Sequence, residues 1–307
     1  MAKPVFRRHP ASRSLRCGRF DLPLDRPLIM GIVNITPDSF SGDGVLADRN
    51  VLANRRDPVE AAVERARAQW EAGADLLDLG AESTRPGSES TSVEEELARL
   101  IPALERMRDW NAPISIDTCK PEVMRAALEA GADMINDINA LRSPGALDIV
   151  ARSDCGVCLM HMQGEPRNMQ QDPHYDDVVG EVGDFLSGRV HACRAAGISD
   201  TRLALDPGFG FGKNLAHNLE LFARLPELCR EGLPLLVGLC RKRMLGEITG
   251  RPVGERAAAT LATTVLAAEK GASIIRVHDV GVTRDALAVW AAVKEAEKGN
   301  PAGRPKP

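Results

Sequence analysis

The stretch EAGADLLDLG at residues 71–80 sets the pattern of this sequence, which recurs as EAGADMINDI at 129–138 and EKGASIIRVHD at 269–279. In each copy a helix-like segment reaches a glycine, which readily adopts the left-handed conformation that ends a helix. A short apolar run follows and stops at polar residues. The pattern predicts a repeated helix-strand unit, as in parallel barrels whose polar strand ends surround one mouth.

Apolar runs typical of buried parallel strands occur eight times along the chain. They span residues 29–34, 75–80, 114–117, 133–136, 156–160, 203–206, 235–238 and 274–277. Helix-start signals stand between them, the clearest being Asp57-Pro58, Ser92 with Glu95, and Pro121. Eight alternating units in about 250 residues predict an α/β fold, a single-domain (β/α)8 TIM barrel, rather than an open doubly wound sheet.

Composition narrows the class of protein. The chain has 307 residues, 44% of them apolar, and a formal net charge of −4. This composition suits one large domain, and the net charge offers no basic field for a nucleic-acid backbone. The chain contains no apolar run near the ~20 residues of a membrane span. The seven cysteines lack the spacing of a disulfide framework, and the lone pair Cys155 and Cys158 is not assigned a metal or redox role. We therefore expect a cytoplasmic protein with reduced thiols.

The predicted organisation has three parts. Residues 1–27 form an arginine-rich N-terminal arm that can include a short hairpin, and the first 20 residues are expected to be loose. Residues 28–297 form the barrel, and residues 298–307 a flexible C-terminal tail. The strand-to-helix loops 35–57 and 81–92 are too long and polar to be simple connectors, which favours binding loops that move.

Polar residues stand at the carboxyl ends of seven of the eight runs. In chain order they are Asn34; Asp78 and Glu82; Asp117; Asn136 and Asp137; Asp206; Arg241, Lys242 and Arg243; Arg276, His278 and Asp279. Each alone has an ordinary explanation as a helix cap or turn residue. Together they would be costly to bury without a ligand or mutual pairing, so the ring predicts a site for a polar small molecule.

The chemical types in this ring indicate what the molecule is. Aspartate and asparagine can bind an amidine-like edge in a bidentate way, while a lysine donates to a carbonyl or ring nitrogen. Arginine and histidine after strand eight lie where barrels commonly hold phosphate. A nitrogen heterocycle that carries phosphate fits both halves of the mouth.

The segment DPGFGFGKN at 206–214 is neither a P-loop nor a G-x-G-x-x-G fingerprint, because its glycine, lysine and asparagine spacing matches neither. Two interpretations remain. A glycine-hinged loop can bring Phe209 or Phe211 over a flat ligand, or the segment can be a tight turn with buried rings.

Eight motifs together make the sequence similar to a known family. They are MGIVNITPDSF at 30–40, ESTRPG at 82–87, SIDTCKPEV at 115–123, MINDINAL at 134–141, LMHMQGEP at 159–166, LALDPGFGFGKNLAHN at 203–218, GLCRKRM at 238–244 and IIRVHDV at 274–280. In this set the chain resembles the dihydropteroate synthases from about residue 28 to 293. A shared fold alone would not reproduce eight such motifs in order.

The resemblance implies a transferase that joins p-aminobenzoate to 6-hydroxymethyl-7,8-dihydropterin diphosphate with release of diphosphate, by an SN1-like displacement. It implies a pterin site of Asp117, Asn136, Asp206, Lys242, Met160 and Phe211, and a diphosphate site of Asn34, Thr84, Arg85, Arg276 and His278. It implies a p-aminobenzoate pocket of Phe40, Pro86, Phe211 and Arg243, with Thr84 and Arg85 at its edge. Catalytic roles fall on Asp117, Lys242 and Asp43, and Mg2+ lies near Asn34. A homodimer and sulfonamide binding are also implied.

Three positions depart from the family pattern. The first loop reads SFSGDG where SFSDGG is common, which shifts the acidic residue to Asp43. Cys240 and Arg243 stand where serine is common. Because position 243 borders the implied p-aminobenzoate pocket, we hypothesise weaker sulfonamide inhibition than in a serine variant. Two alternative functions remain, a pterin-dependent methyltransferase of the same barrel family and a catalytically silent pterin-binding paralogue.

Overall fold

The structure is a computed structural model, and it describes residues 14–35, 57–82 and 91–299. The predicted catalytic and binding residues Phe40, Asp43, Thr84, Arg85 and Pro86 lie outside these ranges, as do most of the two long loops. Within the described residues no helix is long and apolar enough to cross a membrane.

Eight parallel strands lie where the eight apolar runs predict them. They are β3 (Leu28–Asn34), β4 (Leu76–Gly80), β5 (Ile114–Asp117), β6 (Met134–Asp137), β7 (Gly156–Met160), β8 (Leu203–Asp206), β9 (Leu236–Val237) and β10 (Ile274–Val277), after a preceding hairpin of β1 (Ser14–Cys17) and β2 (Phe20–Pro23). Their order is β8-β7-β6-β5-β4-β3-β10-β9. A parallel bridge between Leu205 and Leu235, with Leu205 N donating to Pro234 O at 2.9 Å, brings the two ends together. The predicted TIM barrel is confirmed.

Helices alternate with these strands and surround the barrel. They are α1 (Pro58–Glu71), α2 (Val93–Met107), α3 (Pro121–Glu129), α4 (Ala146–Ala151), α5 (Val178–Ala195), α6 (Leu215–Ala223), α7 (Arg243–Thr249), α8 (Ala257–Glu269) and α9 (Val280–Gly299). The predicted starts are confirmed: Asp57 caps α1 by accepting from Val59 N, and Ser92 caps α2 by accepting from Glu95 N. The glycines of the three repeated joins, Gly73, Gly131 and Gly271, have φ of 99°, 105° and 93°.

The hairpin closes the amino-terminal end of the barrel. Leu15, Cys17 and Leu22 are buried and form one apolar cluster with the inward side chains of the barrel strands, which are Leu28, Met30, Leu76, Met134, Cys158, Ala204, Leu236 and Ile274. Residues 14–20 are therefore strand and turn rather than the loose arm expected from their arginines. The alternating apolar residues of β1 outweigh the charges because only its polar side chains face solvent.

The site sits at the opposite, carboxyl end of the barrel. Side chains on a strand alternate between faces, so the residue two positions after each member of the apolar layer points into the same interior, one layer higher. Those residues are Ile32, Asp78, Asn136, Met160, Asp206, Gly238 and Arg276. Four of these seven residues are charged or carry an amide, whereas every member of the layer below is apolar.

One smaller difference concerns the end of the last helix. Helix α9 continues to Gly299, two residues into the segment predicted as a tail. All seven cysteines fall in described residues and none is in a disulfide. Within the described ranges no three or more His, Cys, Asp or Glu side chains form a group that could hold a metal ion. Cys155 and Cys158 do not belong to such a group.

Candidate active site

A cavity of about 970 Å³ opens at the carboxyl ends of the strands. It brings together all ten predicted site residues within the described ranges: Asn34, Asp117, Asn136, Met160, Asp206, Phe211, Lys242, Arg243, Arg276 and His278. These residues come from β3, β5, β6, β7, β8, the loop after β8, the start of α7, and β10 with its following loop. Asp117, Asp206 and Lys242 converge on one space although they are far apart in the chain.

An ion-pair network crosses the floor of the cavity. The Arg276 guanidinium donates through Nε to Asp78 Oδ2 at 2.6 Å and through Nη2 to Asp117 Oδ2 at 2.8 Å. Asn136 Nδ2 donates to the same Asp78 oxygen at 3.1 Å. Burial raises the pKa of Asp117 to about 7, against the opposing effect of Arg276 and with a further rise from Asp78. Burial therefore outweighs the effect of the one arginine that Asp117 shares with Asp78.

Lys242 and Asp206 line the same cavity, close enough for their charges to interact. Burial lowers the pKa of Lys242 to about 8, while the charge of Asp206 opposes that shift. Burial likewise raises the pKa of Asp206, which Lys242 offsets. The Lys242 ammonium donates to the Phe209 carbonyl and lies 4.4 Å from the centre of the Phe211 ring. These contacts place a donor and an acceptor on one wall beside an aromatic face.

Apolar side chains complete the walls against which a flat ring can pack. Met160 and Phe211 belong to one cluster, whose other members are Cys119, Ile138, Met162 and Met169. Phe209, the other candidate of the glycine-rich loop, is 1% exposed and packs against Phe222 in the core. Phe209 fits the interpretation of a tight turn with buried rings, whereas Phe211 lines the cavity.

The glycine-rich loop is held by a buried lysine that the sequence reasoning did not assign to the site. Lys213 is 2% exposed and directs Nζ to His161 Nδ1 at 2.9 Å, Gly208 O at 3.0 Å and Phe211 O at 3.0 Å. Burial lowers its pKa to about 7 and that of His161 to about 2. Gly208 has φ of 69°, and an added Cβ would lie 1.8 Å from His161 O, so only glycine fits there. The sequence signal that could have identified Lys213 is its position directly after the closely spaced glycines of this loop.

Four other polar residues at strand ends form hydrogen bonds or ion pairs within the protein. Asp137 accepts from Asn139 N and Leu141 N at 2.7 Å each, which closes the turn after β6. Arg241 Nη2 donates to both oxygens of Asp279, at 2.9 and 2.7 Å. Glu82 accepts from Lys120 Nζ at 2.7 Å. The ordinary explanation as turn and cap residues holds for Asp137, and Arg241 with Asp279 fixes the segment that carries Lys242.

The remaining predicted residues lie around the rim. Asn34 ends β3, and His278 Nδ1 lies 3.2 Å from Cys240 Sγ. Arg243 begins α7, where its side chain is 84% exposed and pairs with Glu247 at 2.6 Å. The rim thus combines an amide, a histidine and an arginine, which suits an anionic part of a ligand.

A TIM barrel whose carboxyl-end cavity combines aspartates, an asparagine and a lysine beside an arginine and a histidine is the architecture of a pterin-binding enzyme, and residues 30–278 match the family described as "Pterin binding enzyme". Dihydropteroate synthase of Neisseria meningitidis serogroup C is 48% identical over 91% of this chain and 96% of its own length. The Escherichia coli K12 enzyme is 48% identical over 90% and 95%. The chain belongs to the dihydropteroate synthase family, as an enzyme of folate biosynthesis.

Solved structures agree with this assignment. A Xanthomonas albilineans dihydropteroate synthase with 4-aminobenzoic acid is 54% identical, covers 92% of this chain and 98% of its own, and has a TM-score of 0.84. A Burkholderia cenocepacia dihydropteroate synthase complexed with 7,8-dihydropteroate is 47% identical, with coverage of 95% and 100% and a TM-score of 0.84. A Yersinia pestis dihydropteroate synthase with a sulfonamide drug is 44% identical, with coverage of 92% and 99% and a TM-score of 0.85.

Proposed function

We propose that this chain condenses 6-hydroxymethyl-7,8-dihydropterin diphosphate with p-aminobenzoate to give 7,8-dihydropteroate and diphosphate. The observation that carries the proposal is the convergence of Asp117, Asp206 and Lys242 on one cavity with Arg276 at its floor. Asp206 and Asn136 accept from the N–H edge of the pterin, and Lys242 donates to its carbonyl and ring-nitrogen edge. Met160 and Phe211 pack against the ring faces.

The residues lower the barrier by positioning and by charge. Cleavage of the carbon–oxygen bond places negative charge on the departing diphosphate and positive charge on the pterin methylene. Arg276 and His278 stabilise the diphosphate, and the Asp117 carboxylate stabilises the cation. The arylamine nitrogen then attacks the methylene carbon and loses a proton to solvent, so no general base of tuned pKa is required.

Mg2+ fits the residues at the rim. The described ranges contain no group of three or more His, Cys, Asp or Glu side chains that could hold a metal, and Asn34 places a carboxamide oxygen on the cavity wall. Mg2+ usually keeps several waters and binds one or two protein oxygens together with substrate phosphates. We propose that Asn34 would hold the metal together with the diphosphate of the substrate, and that the metal would supply neutralisation of the charge on the leaving group.

A product assay tests the function directly. The full-length protein is incubated with pterin diphosphate, labelled p-aminobenzoate and Mg2+, and labelled dihydropteroate is measured. Formation of dihydropteroate is expected. A protein that binds the pterin and forms no dihydropteroate is a silent paralogue or a methyltransferase, since only the synthase forms this product. The names of the relatives favour the synthase.

We expect a bell-shaped pH dependence of kcat/KM for the pterin diphosphate. The rate rises as pH increases through about 7, because Asp117 loses its proton and becomes the required carboxylate. It falls as pH increases through about 8, because Lys242 loses the proton that it donates to the pterin. The Asp117→Asn variant should lack the rising limb, measured as residual turnover. A profile with no rising limb near neutrality in the unmodified protein would contradict this assignment.

Arg243 is proposed to weaken sulfonamide binding by placing a bulky cation where the family usually has a small hydroxyl. Arg243→Ser should lower the sulfonamide inhibition constant by up to about fivefold, because an exposed charged contact contributes at most about 1 kcal/mol. The matched control is Arg251→Ser, since Arg251 is exposed and pairs with Glu255 in the same i,i+4 arrangement. Equal inhibition constants for the protein and Arg243→Ser would dismiss the hypothesis.

We further propose a homodimer formed through α8 and α9. Exposed apolar side chains are found on both helices: Leu266, Val282, Val289 and Val293. Val289→Asp should therefore shift the sedimentation coefficient from dimer to monomer, whereas Leu219→Asp, on the exposed part of α6, should not. A monomeric unmodified protein would refute the proposal.

A cytoplasmic location is also proposed, supported by seven cysteines without a disulfide.

A further inference from the structure

Asp78 is a carboxylate behind the cavity that the proposed mechanism does not use. It lies on β4 with 0% of its side chain exposed, and Oδ2 accepts from both Arg276 Nε and Asn136 Nδ2. Within the described residues its other oxygen, Oδ1, has no hydrogen-bond partner. A buried carboxylate with one unsatisfied oxygen contributes little to stability. Stability therefore does not explain why an aspartate occupies this position.

The contact with Asp78 decides which way the Asn136 carboxamide faces. Oδ2 of Asp78 accepts from Arg276, so it presents a lone pair rather than a hydrogen to Asn136. The Asn136 atom 3.1 Å away must then be the NH2 group, which leaves Oδ1 as the atom that can accept from an occupant of the cavity. If the carboxamide were reversed, its NH2 group would face the N–H edge of the heterocycle, and two hydrogen-bond donors would oppose each other.

The same carboxylate orients the arginine. Asp78 holds the Nε edge of Arg276, and Asp117 holds Nη2, so the planar guanidinium is fixed at two corners. A guanidinium held in this way has less rotational freedom to lose when it meets an anionic group. One buried oxygen of Asp78 therefore sets the direction of two side chains that face the ligand.

We propose that Asp78 is a positioning residue that determines specificity: it does not touch the substrate, but it makes Asn136 an acceptor and so selects a heterocycle that presents a donor at that point. The inference rests on the proposed function. Product formation by the unmodified protein tests that function, whereas the comparison of variants below tests only Asp78.

The experiment compares Asp78→Leu with Asp78→Asn, two variants that both remove the negative charge of position 78. In Asp78→Asn the introduced amide oxygen takes the place of Oδ2 and accepts from both Arg276 Nε and Asn136 Nδ2, while the NH2 group takes the place of the unpartnered Oδ1. Asp78→Leu has no acceptor, so the Asn136 carboxamide is no longer held with Oδ1 toward the cavity. We expect KM for the pterin diphosphate to rise about tenfold or more in Asp78→Leu, with KM for p-aminobenzoate unchanged, and to stay within about threefold of the unmodified protein in Asp78→Asn.

Several results would overturn the proposal. They are an unchanged KM for the pterin diphosphate in Asp78→Leu, a parallel rise in both KM values, and an equal rise in KM for the pterin diphosphate in Asp78→Leu and Asp78→Asn. The second result would show that Asp78 only supports the fold, and the third that its charge matters and its acceptor oxygen does not. If Asp78→Leu does not fold, a structure of the unmodified protein with pterin bound decides. Asn136 must remain within hydrogen-bonding distance of Asp78, and a separation of the two side chains would refute the role.

Discussion

Replacement of Arg276 by methionine is expected to lower the free energy of unfolding of the ligand-free protein by about 3 kcal/mol, because it leaves two buried carboxylates without their counter-ion. Asp78 is fully buried and Asp117 is 15% exposed, and both accept from this one guanidinium. The value lies at the lower end for a broken buried pair, since Arg276 is 21% exposed at an open cavity. Chemical denaturation midpoints measure the effect.

The same variant should lose about 10²-fold or more in kcat, since the diphosphate loses a charged partner. Arg276→Lys is the matched control. A lysine restores the positive charge between the two carboxylates and should recover part of the stability. It cannot reproduce the planar fork, so kcat should stay low. An Arg276→Met variant that is as stable as the unmodified protein would show that Asp78 and Asp117 do not depend on this ion pair.

The second large effect concerns Asp117. Asp117→Asn keeps the shape of the side chain and removes the charge that stabilises the cationic methylene, so kcat should fall about 10²–10³-fold. Stability should change far less than in Arg276→Met, because Arg276 keeps its contact with Asp78. The control is Asp176→Asn, whose carboxylate is 99% exposed. A kcat equal to that of the control would remove Asp117 from the mechanism.

Much of the fold was readable because its signals are local. A glycine that ends a helix, an apolar run of strand length, and a capping residue such as Asp57 act through neighbours within a few positions. These signals located all eight strands. The N-terminal hairpin was harder to predict, because arginine-rich composition hides the alternation of Leu15 and Cys17, which matters only when a barrel end is present to cover them.

The candidate site was predictable to the level of residue type. Polar residues after apolar runs indicated the mouth of a barrel, and the eight motifs supplied roles for ten residues that line the cavity. Lys213 and Asp78 were not assigned because their functions depend on contacts across the chain. Lys213 meets His161 from 52 positions away, and Asp78 meets Arg276 from 198 positions away.

The amino-acid sequence by itself determined the (β/α)8 architecture, the family and ten of the residues that line the cavity, since these follow from local periodicity and from motifs. Only the tertiary structure decided which strand-end side chains share a hydrogen bond, which phenylalanine faces the cavity, and which way Asn136 points. The reason is that pairing among distant side chains depends on how closed strands bring them together, and on burial, which raises the cost of every unmatched donor or charge.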